Sequence, residues 1–104
     1  MDQALIDSVV RRIVEHVDPS RIYLFGSQAT GRAEPDSDID LLVVADMPGS
    51  RRERGREVRK LFADRTFGLD VFVFRPEEFE RQKKLLSSIS YIAENEGKVL
   101  YERA

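Results

Sequence analysis

The sequence predicts a small α/β (α+β) domain built on a sheet of about three strands. Three short apolar runs, at residues 21–25, 39–45 and 67–74, have the length and composition of strands. They alternate with longer segments in which apolar residues recur at helical spacing. Turn-forming residues separate the two kinds of segment, an alternation typical of helices packed on a small sheet.

The first third of the chain predicts a helix, a strand and a long loop. In residues 3–17 an apolar side chain recurs every four positions, at Leu5, Val9, Ile13 and Val17. Asp18 and Pro19 end this helix, because the residue before a proline avoids the helical conformation. A short strand at 21–25 follows, and then a turn-rich loop at 26–37 with room for one helical turn at 27–30.

The middle of the chain predicts two strands joined by a charged helix. The run 39–45 is apolar on both faces, so we expect it to be a central strand. Ser50 is a candidate N-cap for a helix at about 51–65. The third strand is predicted at 67–74.

The last third predicts two helices and an extended tail. Pro76 suits the first turn of a helix, and the acids that follow it suit the positive helix end. A final helix at 87–95 is stopped by Gly97 and followed by an extended tail at 99–101. Apolar side chains near this end predict either core packing or a docking or dimer patch: Ile89, Tyr91, Ile92, Val99, Leu100 and Tyr101.

The composition predicts one domain spanning residues 1–104, with 41% hydrophobic residues for a single core. The net charge of −2 provides no bulk positive field, so we expect neither direct nucleic-acid binding nor membrane association. The absence of cysteine excludes disulfides and thiolate metal sites. There is no signal-peptide pattern and no apolar run near ~18 residues, so a cytoplasmic location is expected.

Three aspartates lie at the edge of, or inside, predicted strands. Asp38 and Asp40 project to the same face, since residues i and i+2 of a strand do so, and Asp70 belongs to the next strand. If these strands are neighbours, the three carboxylates can converge. Such a cluster is costly unless a cation neutralises it. Magnesium binds through one or two carboxylates plus substrate phosphates, which predicts a metal site here.

A small turn after the first strand supplies the second half of the predicted site. Glycine at position 26 lets the backbone approach a phosphate closely, and the N–H and hydroxyl of Ser27 can donate to phosphate oxygens. Arg32, in the same loop, can either steady a triphosphate or remain solvated. Together with the acids, the turn predicts a site for a nucleotide.

These residues form a recognisable pattern: Gly26-Ser27, ten residues, Asp38-Ile39-Asp40, and a later strand acid at Asp70. The pattern resembles the DNA polymerase β-like nucleotidyltransferase superfamily. The segment LFGSQATGRAEPDSDIDLLVV is most similar to its minimal nucleotidyltransferases, which include the antitoxins of HEPN/MNT toxin–antitoxin pairs. The resemblance is densest over 22–45, and it implies the nucleotidyltransferase fold.

The resemblance also implies roles for the matching residues. Asp38 and Asp40 would bind two Mg²⁺ ions, and Asp70 would help to hold the catalytic one. Ser27, with the backbone of Gly26, would bind the β- and γ-phosphates of ATP or another nucleoside triphosphate.

The resemblance implies a reaction as well. A nucleotide group, AMP in the simplest case, would pass to a hydroxyl with release of pyrophosphate. Nothing recognisable in the chain binds an acceptor, so we expect the acceptor to be a partner macromolecule. The resemblance implies that this partner is a HEPN-type ribonuclease toxin, which AMPylation would silence. A homo- or hetero-oligomer is compatible with this.

Other interpretations of these motifs are weaker. Gly26 and Gly31 have the spacing of a P-loop, but Arg32-Ala33 stand where that loop needs lysine and a hydroxyl. Asp36, Asp38 and Asp40 have EF-hand spacing, but Leu41 and Met47 occupy the required glycine and glutamate positions.

Structural and functional alternatives stay open. Asp38 and Asp40 can cap a loop-to-strand junction, Asp70 can face water, and His16 can pair with its helix dipole. The arginine-rich run 51–57 can be a solvated face or contact a phosphate-rich or acidic partner. As a whole, the chain can also be an antitoxin that only sequesters its toxin, or a small-molecule (antibiotic) nucleotidyltransferase.

Overall fold

The structure, a computed structural model, describes residues 3–26, 38–85 and 89–103. Its helices and strands are, in chain order, α1 (Gln3–Val17), β1 (Arg21–Phe25), β2 (Ile39–Val44), α2 (Arg51–Arg59), β3 (Leu69–Phe74), α3 (Pro76–Gln82), α4 (Ile89–Glu96) and β4 (Lys98–Glu102). A short 3₁₀ helix (Lys60–Phe62) continues α2. Over the described ranges, no helix combines the length and the apolar character that crossing a membrane requires.

The four strands form one mixed sheet in the order β3-β2-β1-β4. β1 is antiparallel to both β2 and β4, whereas β2 and β3 are parallel. A parallel pair needs a crossover connection, and α2 provides it. The expectation that the second strand is central is confirmed.

Helices cover both faces of the sheet. One face packs against α1 and α2, and its core contains Ile13, Ile39, Leu41, Val58 and Val71. The other face packs against α3 and α4, and its core contains Tyr23, Leu42, Phe74, Phe79 and Ala93. Burial on both faces explains why β2 reads as a continuous apolar run.

The predicted bounds of α1 and β1 are confirmed. Ser50 caps α2 through a capping box with Glu53: the Glu53 N–H donates to Ser50 Oγ over 3.2 Å, and the Ser50 N–H donates to Glu53 Oε1 over 2.9 Å. The helix ends earlier than the predicted 51–65, because its last turn tightens into a 3₁₀ helix that places Phe62 in the core.

The C-terminal tail is a fourth strand, so the expected count of about three strands is corrected. β4 pairs with β1 along its length, and its Leu100 and Tyr101 pack against the core. Val99 is 56% exposed, so the apolar pattern of this short edge strand is too weak to predict it. Part of the predicted helix at 87–95 lies outside the described residues, as does the predicted turn at 27–30.

Candidate active site

The first component of the site is a bend at the end of β1. Gly26 has a φ of +74°, a conformation that favours glycine. A Cβ at this position would also collide with the carboxylate of Asp40, whose strand neighbour on β1 is Phe25. Glycine suits this position because the Asp40 carboxylate occupies the space that a side chain would need. Ser27 and Arg32, predicted to bind phosphate, lie outside the described residues.

The second component is a pair of acids on adjacent strands. Asp40 on β2 and Asp70 on β3 are direct partners in the parallel register. Asp40 and Asp70 lie on the α3–α4 side of the sheet. Asp40 is two positions from Leu42 in β2, and Asp70 is four positions from Phe74 in β3, so each points to the same face as that buried residue.

This side of the sheet is open where the acids lie. Leu42 and Phe74 are buried, whereas Asp40 is half-buried and Asp70 is exposed. The helices therefore cover the later residues of β2 and β3 and leave the first residues accessible. A ligand can reach the acid pair from solvent.

Asp38 lies just before β2 and is exposed. Its carboxylate occupies the space that a side chain at position 68 would need. The Gly68 carbonyl also accepts a hydrogen bond from the N–H of Ile39 over 2.9 Å. The sequence patterns above do not predict a role for Gly68. The signal for it is a glycine directly before an acid-bearing strand, since such a glycine often marks close backbone approach.

The electrostatics of Asp40 reflect this crowding. The pKa of the Asp40 carboxyl is raised to about 6, first by burial and then by the negative charge of Asp70, hydrogen bonding with the Asp70 carboxyl and the negative charge of Asp38. In the protein alone, burial and the neighbouring negative charges all disfavour the ionised form of Asp40. The site therefore favours either a proton or a cation.

The donor set fits a magnesium ion completed by phosphate oxygens. Within the described residues, no group of three or more aspartate, glutamate, histidine or cysteine side chains is placed so that together they could hold a metal ion. Asp40 and Asp70 nevertheless place carboxylate oxygens on one side, and Asp38 adds its charge to theirs. Magnesium characteristically uses one or two carboxylates and takes its remaining ligands from substrate and water.

Two other polar features of the sequence have structural roles. Nδ1 of His16 lies 2.9 Å from the carbonyl of Arg12 at the exposed end of α1. Arg54 corrects the interpretation of 51–57 as a solvated face: it is 2% exposed and forms a 2.8 Å ion pair with Glu78. The remaining arginines of that run, Arg51, Arg52 and Arg56, are exposed.

Comparison with protein families matches residues 6–102 to the nucleotidyltransferase domain family. No curated protein matches the sequence. Among solved structures, a proposed nucleotidyltransferase from Sulfolobus solfataricus aligns with a TM-score of 0.67 and 20% identity, over 96% of this chain and 79% of that one.

Two further structures contain toxin–antitoxin assemblies. A toxin–antitoxin with AMP-PNP gives a TM-score of 0.54 at 20% identity, over 93% of this chain and 73% of that one. The toxin–antitoxin MntA-HepT gives 0.56 at 19% identity, over 97% and 74%. At these identities, the three structures establish a shared fold.

Proposed function

The chain belongs to the nucleotidyltransferase domain family, and from that premise we propose that it transfers AMP from ATP to a hydroxyl group of a partner protein in a Mg²⁺-dependent reaction. One observation carries the proposal: the Asp40–Asp70 pair lies on adjacent strands, and the Gly26 bend adjoins Asp40. Acids beside a close-approach glycine suit a nucleoside triphosphate and its metal.

Each site residue has a role in this proposal. Asp38, Asp40 and Asp70 would hold magnesium, which when bound neutralises phosphate charge and lowers the pKa of an acceptor hydroxyl. The Gly26 backbone and Ser27 would bind the β- and γ-phosphates, with Arg32 nearby. The exposed side of Asp70 leaves room for the acceptor.

The reaction is a substitution at the α-phosphorus. The acceptor oxygen forms a bond to that phosphorus, the bond to the bridging oxygen of the β-phosphate breaks, and pyrophosphate leaves. The hydroxyl proton passes to solvent. Most of the catalytic effect would come from holding these groups in line and balancing charge, since the protein forms no covalent bond itself.

We further propose that the acceptor is a HEPN-type ribonuclease toxin and that AMPylation silences it. Two points support this partner: the likeness of residues 22–45 to minimal nucleotidyltransferases, and the toxin–antitoxin assemblies among the structures that share the fold. On this proposal the chain acts as an antitoxin.

The test is transfer of label from α-³²P-ATP to a co-purified HEPN protein in the presence of Mg²⁺. We expect transfer by the wild type, and its loss in Asp38→Asn/Asp40→Asn and after addition of EDTA. Asp7→Asn/Asp64→Asn, which removes two exposed acids elsewhere, should retain transfer. Neutralisation of the toxin without any label transfer would contradict the proposal and indicate sequestration. Label transfer to an aminoglycoside in preference to protein would indicate a small-molecule acceptor.

A further inference from the structure

A groove of about 380 Å³ lies between α2 and the outer edge of β3. It is lined by Arg51, Arg52, Gly55, Arg59, Val71 and Phe72. Glycine at position 55 is needed for this packing, because a Cβ there would lie only 2.8 Å from the carbonyl oxygen of Val71. We call this feature the α2–β3 groove.

The α2–β3 groove follows β3 from Val71 and Phe72, the two residues after Asp70. Arg51, at the start of α2, lies over the ring of Phe74 at 4.2 Å, and Gly55 lies beside Val71. The helix therefore runs antiparallel to β3, which places Arg59 toward the Asp70 end. Phe72 is two residues beyond Asp70 on the same face, a distance of about 7 Å along the strand.

The arginines of the groove have positive charge to offer a ligand. Across residues 3–26, 38–85 and 89–103, the side chains of Arg52 and Arg59 make neither an ion pair nor a hydrogen bond. Arg54 of the same helix contrasts with them, since it is buried against Glu78. Unpaired arginines above an apolar floor suit a carboxylate-rich segment that also carries apolar atoms.

The aromatic ring in the groove favours a protein ligand over a nucleic acid. Phe72 is half-buried and packs against Phe25 at 5.9 Å with an interplanar angle of 49°. Sequence-tolerant binding of single strands relies on rings whose faces are free to stack on bases. The chain also has a net charge of −2, which gives no general attraction to polyanions.

We propose that the α2–β3 groove binds an acidic segment of the acceptor protein, next to the hydroxyl that receives the nucleotide; the inference rests on the proposed function. Across the sheet the order is Gly26 bend, Asp40, Asp70 and groove. In an in-line displacement the acceptor oxygen enters opposite the leaving group. With the phosphates at the β1 side, the acceptor enters from the β3 side, where the groove lies.

The test uses fluorescent peptides in which one tyrosine is flanked by glutamates or, in the matched peptide, by glutamines. Fluorescence anisotropy should show tighter binding of the glutamate peptide by about tenfold. That preference should weaken as NaCl is raised from about 50 to about 300 mM, because exposed charges are screened. Arg52→Glu/Arg59→Glu should abolish the preference, and the neutral pair Arg52→Gln/Arg59→Gln should reduce it.

The matched control is Arg11→Glu/Arg56→Glu, which changes the net charge equally at exposed arginines outside the groove and should keep the preference. Equal binding of the two peptides by the wild type would overturn the inference. So would tighter binding of a single-stranded oligonucleotide, which would assign the groove to nucleic acid.

A separate measurement distinguishes failure of the groove from failure of the site. Thermal stabilisation by Mg²⁺ with α,β-methylene-ATP reports the nucleotide site and should persist in Arg52→Glu/Arg59→Glu. Absence of that stabilisation in the wild type would refute the proposed function. Its presence without a peptide preference would refute the groove alone.

Discussion

At the scale of single residues, the placement of Asp40 destabilises the ligand-free protein and also suits the binding of a cation. Its carboxyl is half-buried and faces Asp70 across one strand spacing, so its pKa is raised to about 6. Folding without a ligand therefore brings negative charge together. The same repulsion is relieved when a cation or a proton enters, which couples the stability of the domain to occupancy of the site.

Replacing Asp40 by asparagine should stabilise the metal-free protein at neutral pH. The folded pKa of about 6 exceeds the ordinary value of 3.8, so the folded state binds a proton more tightly and loses stability as pH rises from about 4 to about 6. Allowing for partial exposure, Asp40→Asn should recover about 1–2 kcal/mol of unfolding free energy at pH 7.5 in EDTA. At pH 4 the same substitution should change the unfolding free energy very little. Urea unfolding at both pH values checks this, with Asp64→Asn as control; a variant less stable than the wild type at pH 7.5 would contradict it.

The glycines of the site separate backbone strain from side-chain placement. Gly26→Ala should cost about 1–2 kcal/mol of unfolding free energy, because its φ is positive, and should also weaken Mg²⁺–nucleotide binding by displacing Asp40. Gly49 also has a positive φ, but a Cβ at that position would meet Glu53 at 3.5 Å. Gly49→Ala should therefore lower the stability of the protein without weakening Mg²⁺–nucleotide binding. Gly68→Ala should weaken Mg²⁺–nucleotide binding with little loss of stability, since the flexible Asp38 carboxylate can move aside from the added methyl group. Urea unfolding and calorimetric nucleotide titration measure both quantities; equal binding by all three variants would refute this placement.

At the scale of helices and strands, the sequence predicts the features that depend on residues close together in the chain. The four-residue apolar repeat of α1, the Ser50 cap and the continuous apolar run of β2 all appear where the sequence predicts them. The roles of Arg54 and Gly68 depend instead on α3 and β2, elements distant in sequence, so no local pattern reveals them. The direct Asp40–Asp70 register likewise follows from strand pairing that spacing alone allows but does not require. Ser27 and Arg32 remain sequence predictions.

The Arg54–Glu78 pair joins α2 to the start of α3. Replacing Glu78 and replacing Arg54 should cost different amounts of unfolding free energy. The Arg54 side chain is 3% exposed and that of Glu78 is 22% exposed. Glu78→Gln should therefore cost more, about 3 kcal/mol, because it leaves a buried cation without its counter-charge. Arg54→Met should cost less, since Glu78 keeps water and the Arg75 N–H at 2.8 Å. Urea unfolding measures the order, with exposed Glu77→Gln as control; the opposite order would be inconsistent with this burial.

The same pair predicts a pH dependence opposite to that of Asp40. The hydrogen bond from Arg54 holds the pKa of Glu78 below its ordinary value of 4.5. Its stabilising contribution is therefore present above pH 4.5 and is lost as pH falls through the lowered pKa. In Arg54→Met this loss in acid should be smaller than in the wild type. An equal acid sensitivity of the two proteins would argue against the assignment.

At the scale of the whole molecule, the proposed site belongs to the sheet rather than to any one element. The bend follows β1, two acids lie at β2 and the third lies on β3, so the site exists only when all three strands are paired. A ligand that bridges them binds the folded state alone. Its binding free energy then adds to the stability of the domain.

Magnesium and nucleotide should therefore stabilise the protein together and far less when supplied separately. At a concentration 100 times its dissociation constant, a ligand adds ~2.7 kcal/mol, which raises the Tm of a domain of this size by about 10 °C or more. We expect this shift with α,β-methylene-ATP plus Mg²⁺, because the metal balances the carboxylates and the phosphates at once. The nucleotide in EDTA should give only a small shift, since its phosphates then face the charge of three aspartates. Differential scanning calorimetry measures the four combinations of metal and nucleotide, with Asp40→Asn/Asp70→Asn as the variant that should lose the joint effect. Additive shifts from the two ligands would show that they bind independently, and the bridge across the three strands would then be wrong.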